Sequence, residues 1–290
     1  MIIVTTTQSD ILLDYSINRL KVVNGTLRRN GDTMNFNGKV VLITGGSSGI
    51  GAGTAEYLAK LGATLALTGR NAENLKTTIE KCITSEDTPR PISIVGDITN
   101  ESDAKMIIEK VIETFGRLDV LINNAGIIER GTIENTSLGQ YDRVMNTNVR
   151  AMYHLTMLAV PHLIASKGNI VNVSSVNGMR SFPGVLAYNI SKSAVDQFTR
   201  CVALELAAKG VRCNSINPGV IVTDIHRRGG MNDDEYNKFL EHSRTTHALG
   251  RPGNVEETAA SIAFLASDLA SFITAAQLPV DGGRHAMCPR

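Results

Sequence analysis

The sequence predicts an α/β fold with a single doubly wound, Rossmann-type parallel sheet of about seven strands and helices on both faces. From Lys39 onward, short runs rich in β-branched residues alternate with helical stretches, an order that is typical of βαβ units. The chain of 290 residues is also 42% hydrophobic, which is enough to form one continuous buried core.

The predicted strands are short, contain many β-branched residues and end at turn-forming residues. In chain order they are VVLITG, TLALTG, ISIVGD, LDVLINNAG, GNIVNVSS, VRCNSINPG and AAQLPVDGG. The helical stretches between them are GAGTAEYLAKLG, NAENLKTTIEKCI, NESDAKMIIEKVIETFG, LGQYDRVMNTNVRAMYHLTMLAVPHLIAS, a helix containing Tyr188, and NVEETAASIAFLAS. Because a helix separates each strand from the next, we expect successive strands to run parallel.

The chain is predicted to contain an extension and one domain. Residues 1–35 lack a basic start and a small-residue cleavage site, so we expect a poorly ordered N-terminal extension and not a secretory or transit peptide. Within it, residues 11–17 could form a short amphipathic helix, and residues 24–33 are predicted as a turn-rich linker. A docking segment, or an alternative start at Met34, would also explain the extension. Residues 36–290 are expected to form a single domain.

The charge balance indicates a small-molecule partner. A net charge of +1 gives no broad positive field for nucleic acid or an anionic membrane. The longest apolar runs are shorter than the roughly 20 residues needed to span a bilayer, so we expect no membrane span. The four cysteines contain no C-x-x-C pair, and the histidines lack metal-ligand spacing. We therefore expect no metal, no disulfide framework and a reducing, cytoplasmic location.

A glycine-rich turn, TGGSSGIG, joins the first predicted strand to the helix that follows it. Glycine suits a turn that brings free helix N–H groups against a pyrophosphate, because a Cβ would obstruct the ligand or the helix packing. A purely structural turn is the alternative, but the flanking strand and helix favour a dinucleotide site. The predicted cofactor contacts in this turn are Thr44, Gly45, Ser47, Ser48, Gly49, Ile50 and Gly51.

The end of the second predicted strand, LTGRN, favours NADP over NAD. A carboxylate there would bind the ribose 2′-hydroxyl of NAD, whereas this chain has Arg70, whose guanidinium can bind a 2′-phosphate. We expect no carboxylate there to repel the phosphate. The alternative is a solvated Arg70 with NAD as the cofactor, and Ser48 stands where a further basic residue would strengthen the case for NADP. Other strand ends predict cofactor contacts at Asp97, Asn124, Ala125 and Gly126.

Tyr188 and Lys192 are four residues apart in a predicted helix, so their side chains share one face. A phenol has a pKa of about 10 and needs a lower one to exchange protons near neutral pH. An ammonium about 4 Å away could stabilise the phenolate by around 4 kcal/mol at an effective dielectric constant near 20. We therefore expect Lys192 to lower the pKa of Tyr188. A buried tyrosine beside an outward-pointing lysine is the alternative, but Ser175 ends the fifth predicted strand at the same crevice.

Together these motifs resemble those of the short-chain dehydrogenase/reductase family, in particular its 3-oxoacyl-(acyl carrier protein) reductase-like members, over residues 36–284. The matching positions are Thr44, Gly45, Gly49 and Gly51 for T-G-x-x-x-G-x-G, Asn123 to Gly126 for N-N-A-G, and Ser175, Tyr188 and Lys192 for the Ser-Tyr-Lys spacing. The resemblance also implies a catalytic Asn148 and cofactor contacts at Pro218, Gly219, Thr223, Tyr188 and Lys192.

The resemblance implies an oxidoreductase that acts on CH–OH donors and transfers hydride between NADP(H) and a ketone, a 3-oxoacyl group or a secondary alcohol. Tyr188 would protonate the carbonyl oxygen, and Ser175 would hydrogen-bond it. Lys192 would bind the nicotinamide ribose, while Asn148 would hold a water that links Lys192 to solvent. The alternatives are an NAD-dependent alcohol or steroid-type dehydrogenase and a non-catalytic dinucleotide-binding scaffold.

Two further features concern the turn before the last strand and the segment of residues 220–250. Ala275 stands where the family usually has glycine, so a positive φ would strain the turn. Residues 220–250 are long and polar enough to form a substrate lid, with a helix capped by Asn232. Arg227, Arg228 and Arg244 could attract an acidic group there, or they could be solvated loop cations.

Self-association is also expected. The stretches NVRAMYHLTMLAVPHL and AVDQFTRCVALELAAKG carry more apolar residues than one sheet face needs. They predict packing across a symmetry axis, in a homodimer or a homotetramer.

Overall fold

A seven-stranded parallel sheet forms the centre of the molecule. The computed structural model describes residues 20–23, 26–29, 34–83 and 89–288. The strands in chain order are β1 (Leu20–Val23), β2 (Thr26–Arg29), β3 (Val40–Thr44), β4 (Thr64–Gly69), β5 (Ile92–Val95), β6 (Val120–Asn123), β7 (Asn169–Val173), β8 (Arg212–Pro218) and β9 (Gln277–Val280). The central sheet has the order β5-β4-β3-β6-β7-β8-β9, and all its neighbouring strands are parallel. The predicted doubly wound sheet is confirmed.

Helices cover both faces of this sheet. They are α1 (Gly49–Lys60), α2 (Ala72–Cys82), α3 (Glu101–Phe115), α4 (Leu138–Met145), α5 (Ala151–Ser166), α6 (Val176–Met179), α7 (Leu186–Ala207), α8 (Ile225–Arg228), α9 (Asp233–Thr246) and α10 (Val255–Ala266). A π-helical turn spans Asn146–Arg150, and 3-10 turns span Asp268–Ala270 and Arg284–Ala286. One apolar layer packs α1, α2 and α10 against the sheet, and the other packs α3, α5 and α7.

Strand β3 shows how one sequence supplies both layers. Its residues Val41 and Ile43 belong to one buried cluster, while Val40 and Leu42 belong to the other. Because successive residues of a strand point to opposite faces, a continuous apolar run is what a strand covered on both sides requires. The β-branched runs therefore predicted both the strands and their position in the centre of the molecule.

Asparagine caps fix the start of four helices. The side chains of Asn71, Asn100, Asn232 and Asn254 each accept a hydrogen bond from a backbone N–H in the first turn of the helix that follows. The Glu235 side chain in turn accepts a hydrogen bond from the backbone N–H of Asn232, which completes a capping box. This arrangement confirms the predicted start of α9.

The helix predicted from residue 138 to residue 166 contains an unforeseen irregularity. The π-helical turn at Asn146–Arg150 separates α4 from α5. Such turns insert one extra residue into a helix and are frequent at functional sites. This one contains Asn148, whose side chain leaves the helix to bond a neighbouring loop. No residue pattern in the stretch signalled the insertion.

The N-terminal segment also differs from expectation. Strands β1 and β2 pair antiparallel, with Leu20 opposite Arg29 and Val23 opposite Thr26. The prediction of a turn-rich linker over residues 24–33 was therefore wrong where β2 lies. The short helix predicted over residues 11–17 falls outside the described residues.

Within the described ranges, no helix is both long and apolar enough to cross a bilayer. The same ranges contain no group of three or more His, Cys, Asp and Glu side chains placed to hold a metal ion.

Ala275 adopts the left-handed backbone conformation that was expected to strain the turn before β9. Its φ is +61°, and its N–H donates a 2.8 Å hydrogen bond to the carbonyl oxygen of Cys213. That bond ties the turn before β9 to strand β8, so the conformation is imposed by sheet formation. A Cβ in this region costs roughly 1–2 kcal/mol.

Ala275→Gly is expected to raise the free energy of unfolding by about 0.5–1 kcal/mol, because relief of strain exceeds the added chain entropy of glycine. Urea unfolding measures the change. The neighbouring Ala276, which does not have a positive φ, supplies the matched control. Ala276→Gly should lower stability, and equal effects of both substitutions would contradict the assignment of strain to Ala275.

Candidate active site

The turn between β3 and α1 requires glycine at three positions. Gly45 and Gly49 have φ values of +64° and +55°, in the left-handed region that favours glycine. A Cβ on Gly45 would lie 2.8 Å from Nδ2 of Asn124, and a Cβ on Gly51 would collide with the carbonyl oxygen of Gly45. The turn can therefore pack tightly against the end of β6.

Thr44 fixes this turn through hydrogen bonds to the residues that follow β6. It is 1% exposed, and its Oγ1 accepts hydrogen bonds from the N–H groups of Asn124 at 2.9 Å and Ala125 at 3.0 Å. The Asn124 side chain donates in return to the carbonyl oxygen of Thr44 at 2.8 Å. The ends of the adjacent strands β3 and β6 are thereby locked together.

A cavity of about 810 Å³ opens beyond the carboxyl ends of the central strands. The predicted site residues that line it are Gly45, Ser47, Ser48, Gly49, Ile50, Arg70, Asp97, Asn124, Ala125, Gly126, Ser175, Tyr188, Lys192, Pro218, Gly219 and Thr223. Three predicted residues, Thr44, Gly51 and Asn148, are not part of the lining. Each of them packs against or bonds a residue at the cavity wall. Parallel sheets commonly bind ligands at this edge.

Tyr188, Lys192 and Ser175 meet within this cavity. Nζ of Lys192 lies 5.5 Å from the centroid of the Tyr188 ring and donates a 2.8 Å hydrogen bond to the carbonyl oxygen of Val173. Ser175 starts α6, and its Oγ accepts a 3.1 Å bond from the N–H of Asn177. Residues from the end of β7 and from the first turns of α7 thus share one wall.

Burial controls the protonation of Tyr188. It raises the pKa of the phenol to about 12, while the hydrogen bond with Ser175 acts in the opposite direction. Burial also lowers the pKa of Lys192 to about 8. The expectation that Lys192 lowers the pKa of Tyr188 is therefore wrong, because removal of the phenol from water dominates. The ammonium lies over the ring and donates to Val173.

Asp196 continues the same face of α7 one turn beyond Lys192, and it was not among the residues predicted from the sequence. It is 3% exposed and accepts hydrogen bonds of 2.9 and 3.1 Å from Nδ2 of Asn217. Its charge raises the pKa of Lys192 against the effect of burial, and burial in turn raises the pKa of Asp196. The i, i+4 spacing that linked Tyr188 to Lys192 would also have identified it.

Asn148 positions the wall of the site from the π-helical turn. Its Oδ1 accepts a 2.8 Å bond from the N–H of Ile127, and its Nδ2 donates to the Ile127 carbonyl at 2.9 Å and to Oγ of Ser191 at 3.0 Å. Both amide hydrogens are therefore used, so the side chain can hold a water only through an acceptor position. A Cβ on Gly126 would lie 3.3 Å from Oδ1 of Asn148 and 3.7 Å from Nζ of Lys192.

A carboxylate lies beside Arg70, contrary to expectation. Nη1 of Arg70 is 3.8 Å from Oδ2 of Asp97, and the two side chains are 73% and 38% exposed. Strands β4 and β5 are parallel neighbours, so the residues that follow them are brought together. The sequence separation of 27 positions concealed this pair.

Among the three arginines predicted in the lid, Arg228 alone lines the cavity. Its Nη1 donates a 2.9 Å hydrogen bond to Oγ of Ser48 in the glycine-rich turn. Arg227 and Arg244 each pair with a carboxylate of their own segment. An arginine of residues 220–250 thus contacts the glycine-rich turn.

Several residues that line the cavity were not predicted. Those with aromatic or charged side chains are Arg130, Arg143, Phe182, His226, Phe239 and Arg284. They come from loops, helices α4, α8 and α9, and the chain after β9, where no motif marks a site. Burial and Arg284 lower the pKa of His226 to about 4, so its ring is neutral at pH 7.

Comparison with known proteins places this geometry in a family. The family model described as enoyl-(acyl carrier protein) reductase matches residues 45–285. The 3-oxoacyl-(acyl-carrier-protein) reductase FabG of Thermotoga maritima is 37% identical over 252 residues, covering 86% of this chain and 99% of that protein. Meso-2,3-butanediol dehydrogenase of Serratia marcescens is 36% identical over 253 residues, covering 87% and 97%.

A solved structure agrees with the sequence relatives. A short-chain dehydrogenase/reductase of unknown function from Caenorhabditis elegans, solved with cofactor, superposes with a TM-score of 0.83 at 37% identity, covering 87% of this chain and 97% of that one. The chain belongs to the short-chain dehydrogenase/reductase family. It is therefore an oxidoreductase of a family that uses nicotinamide cofactors and acts on alcohols and ketones.

Proposed function

We propose that the protein is an NADP(H)-dependent oxidoreductase that reduces a ketone or 3-oxoacyl group, or oxidises the corresponding secondary alcohol. The observation that carries the proposal is the meeting of Tyr188, Ser175 and Lys192 in the cavity that the glycine-rich turn also lines. One relative is named for reduction of a 3-oxoacyl group and the other for oxidation of butane-2,3-diol. Both reactions interconvert a ketone and a secondary alcohol. We propose the same substrate class here.

The residues present fit a dinucleotide. Helix α1 begins at Ser48 without a side-chain cap, in contrast to the asparagine-capped helices. Gly49 and Ile50 of its first turn line the cavity, so uncapped helix N–H groups are available to an anion such as a pyrophosphate. When bound, the cofactor supplies or accepts the hydride.

Tyr188 is the proposed proton donor to the carbonyl oxygen. With a pKa of about 12, the buried phenol is fully protonated at neutral pH and is ready for reduction. Ser175 lies close enough to Tyr188 to lower its pKa. Its hydroxyl donates to Oδ1 of Asn177 at 3.1 Å and would turn from there to hold the same oxygen as it gains negative charge. Alcohol oxidation requires the reverse proton transfer, which burial of the phenol makes less favourable.

Lys192 and Asn148 are proposed to support this transfer. Lys192 keeps a positive charge beside the phenol below about pH 8, and it would bind the ribose hydroxyls of the cofactor. Asn148 fixes Ile127 and Ser191, and the Ser191 hydroxyl donates to the carbonyl oxygen of Tyr188 at 2.8 Å. The water proposed to link Lys192 with solvent would use one of the remaining acceptors of Asn148.

The choice between NADP(H) and NAD(H) depends on Arg70 and Asp97. Arg70 is largely exposed, so its guanidinium can turn to a 2′-phosphate and form charge-assisted bonds. The carboxylate of Asp97 opposes a phosphate at this place and supports the alternative, an NAD-dependent alcohol dehydrogenase. We favour NADP(H), because a 3.8 Å pair between exposed groups contributes little and is easily exchanged for a phosphate.

The segment of residues 220–250 is proposed to be the substrate lid, because α8 and α9 supply His226, Arg228 and Phe239 to the cavity.

We also propose that α5 and α7 mediate a homodimer or homotetramer. Tyr153, Met157 and Leu204 on these helices are each more than half exposed.

Arg70→Ala is expected to lower kcat/KM for NADPH by about 10- to 100-fold, because bonds to a charged group contribute about 1.5–3 kcal/mol. Initial rates with NADPH and NADH on 3-hydroxybutan-2-one and ethyl 3-oxobutanoate measure the change. Arg244→Ala, an exposed arginine outside the cavity, is the matched control. A wild-type preference for NADH would favour the NAD alternative. The same NADPH preference in Arg70→Ala would instead show that Arg70 does not select the cofactor.

Tyr188→Phe is expected to lower kcat by about 100- to 10,000-fold, because the proton donor to the substrate oxygen is lost. Titration of NADPH fluorescence should show retained cofactor binding in this variant. Tyr141→Phe, at an exposed tyrosine of α4 outside the cavity, controls for loss of a phenol elsewhere. Turnover by Tyr188→Phe at the rate of the wild-type protein would remove the proposed mechanism.

A further inference from the structure

The cavity is strongly cationic. The positively charged residues that line it are Arg70, Arg130, Arg143, Lys192, Arg228 and Arg284, whereas the acidic residues of the lining consist of Asp97. Three of the arginines have a carboxylate within 4 Å, contributed by Asp97, Glu235 and Glu129 respectively. Lys192 bonds a main-chain carbonyl beside Tyr188. This leaves Arg228 and Arg284 without an ion pair among the described residues.

These two arginines lie at different parts of the cavity. Arg228 bonds Ser48 of the glycine-rich turn, which is where the phosphates of a dinucleotide are expected. Arg284 follows β9, and its guanidinium carbon lies 4.4 Å from the centroid of the Phe182 ring. The carbonyl oxygen of Phe182 accepts a 2.7 Å bond from Asn189, the residue after Tyr188. Arg284 is therefore joined, through Phe182, to the beginning of the helix that carries Tyr188.

The side chain of Arg284 is half-buried, and one of its hydrogen-bond donors has no acceptor among the described residues. Its Nε is buried and has no hydrogen-bond partner within the part of the chain that the structure describes. Leaving a buried hydrogen-bonding group of a cation without a partner is costly. The nearest acidic influence is Asp281, but its carboxylate accepts bonds from the N–H groups of Gly283 and His285 and from the His285 ring. The guanidinium therefore lacks an acceptor of its own.

The surroundings of Arg284 suit a small anionic group. The guanidinium stacks on Phe182, which fixes its plane and leaves its edge for a planar, two-oxygen acceptor. His226 of the lid lies nearby and is neutral, since both burial and the charge of Arg284 lower its pKa. The His226 ring packs at 4.5 Å from the ring of Phe239, so the lid closes this region with apolar and neutral groups.

We propose that Arg284 is a specificity-determining residue that binds a carboxylate of the substrate, so that the preferred substrate is a keto acid or the corresponding hydroxy acid. The proposal rests on the proposed function, since the carboxylate must reach Arg284 while the ketone faces Tyr188. The charge of Arg284, which lines the cavity without an ion pair among the described residues, selects an anion, and the stacked planar guanidinium selects a carboxylate.

The test compares acids with their neutral esters. Reduction of 4-oxopentanoate and methyl 4-oxopentanoate, and of 3-oxobutanoate and ethyl 3-oxobutanoate, is measured with NADPH and NADH. The wild-type protein should prefer each acid, and Arg284→Met should lower the acid-to-ester ratio of kcat/KM by about 10- to 100-fold, mainly through KM. Arg284→Lys, which keeps the charge, should retain part of the preference. Arg244→Met, a change of an arginine outside the cavity, should leave the ratio unchanged.

A binding measurement separates this proposal from the proposed function. Calorimetric titration of pentanoate and pentanamide into the protein with NADP⁺ should show binding of the acid that Arg284→Met abolishes. A wild-type protein that reduces the esters but not the acids, or an acid-to-ester ratio unchanged in Arg284→Met, would overturn the role of Arg284 and leave the proposed function standing. Arg284-dependent binding of pentanoate without turnover of any ketone would support Arg284 and overturn the proposed function. Turnover of the esters by Arg284→Met reports that the variant is folded.

Discussion

The hydrogen bond from Lys192 to the carbonyl oxygen of Val173 is the contact on which the arrangement of the site depends. It joins helix α7 to the end of strand β7, and it does so with an ammonium that is almost completely withdrawn from water. An ammonium in such a place needs a partner, because an unpaired buried charge is costly. The bond fixes the rotation of α7 and thereby the position of Tyr188 one turn earlier. Asp196, one turn later, compensates part of the buried charge.

The charge of Lys192 alone does not explain the pKa of Tyr188 on this face of α7. A cation near a phenol can stabilise the phenolate, but burial of the phenol destabilises it. Here burial is the largest cause of the Tyr188 pKa and outweighs the opposing effect of Ser175. The consequence is a neutral proton donor, which suits the proposed reduction of a carbonyl group near neutral pH. The same physics acts on Lys192 and Asp196, whose pKa values are both shifted toward the neutral form by burial. The site is thus a chain of groups whose protonation depends on how much water reaches them.

The sequence was informative where chemistry is local. The β-branched runs located the seven strands of the sheet, the glycine pattern located the turn after β3, and the i, i+4 spacing located Tyr188 and Lys192. Contacts between distant segments were missed. Arg70 and Asp97 meet because β4 and β5 are neighbours, and Arg228 meets Ser48 although 180 positions separate them in the chain. The direction of the Tyr188 pKa was misjudged for a related reason, since burial is a property of the whole fold.

Residues 220–250 and the chain after β9 add cations to the cavity that the central sheet does not supply. Arg228 reaches the glycine-rich turn and Arg284 stacks beside the start of α7, so the two ends of the cavity are each provided with an arginine. Members of one family can share the sheet and the Ser-Tyr-Lys arrangement while these peripheral residues differ. Substrate choice then follows from the loops, and the chemistry follows from the sheet.

The central claim is that burial keeps the phenol of Tyr188 protonated in the protein without bound cofactor. Ultraviolet difference titration of the wild-type protein against Tyr188→Phe isolates the signal of this one phenol. The account predicts that it ionises near pH 12. Ionisation below pH 10 would contradict it, and would show that the charge of Lys192 outweighs burial.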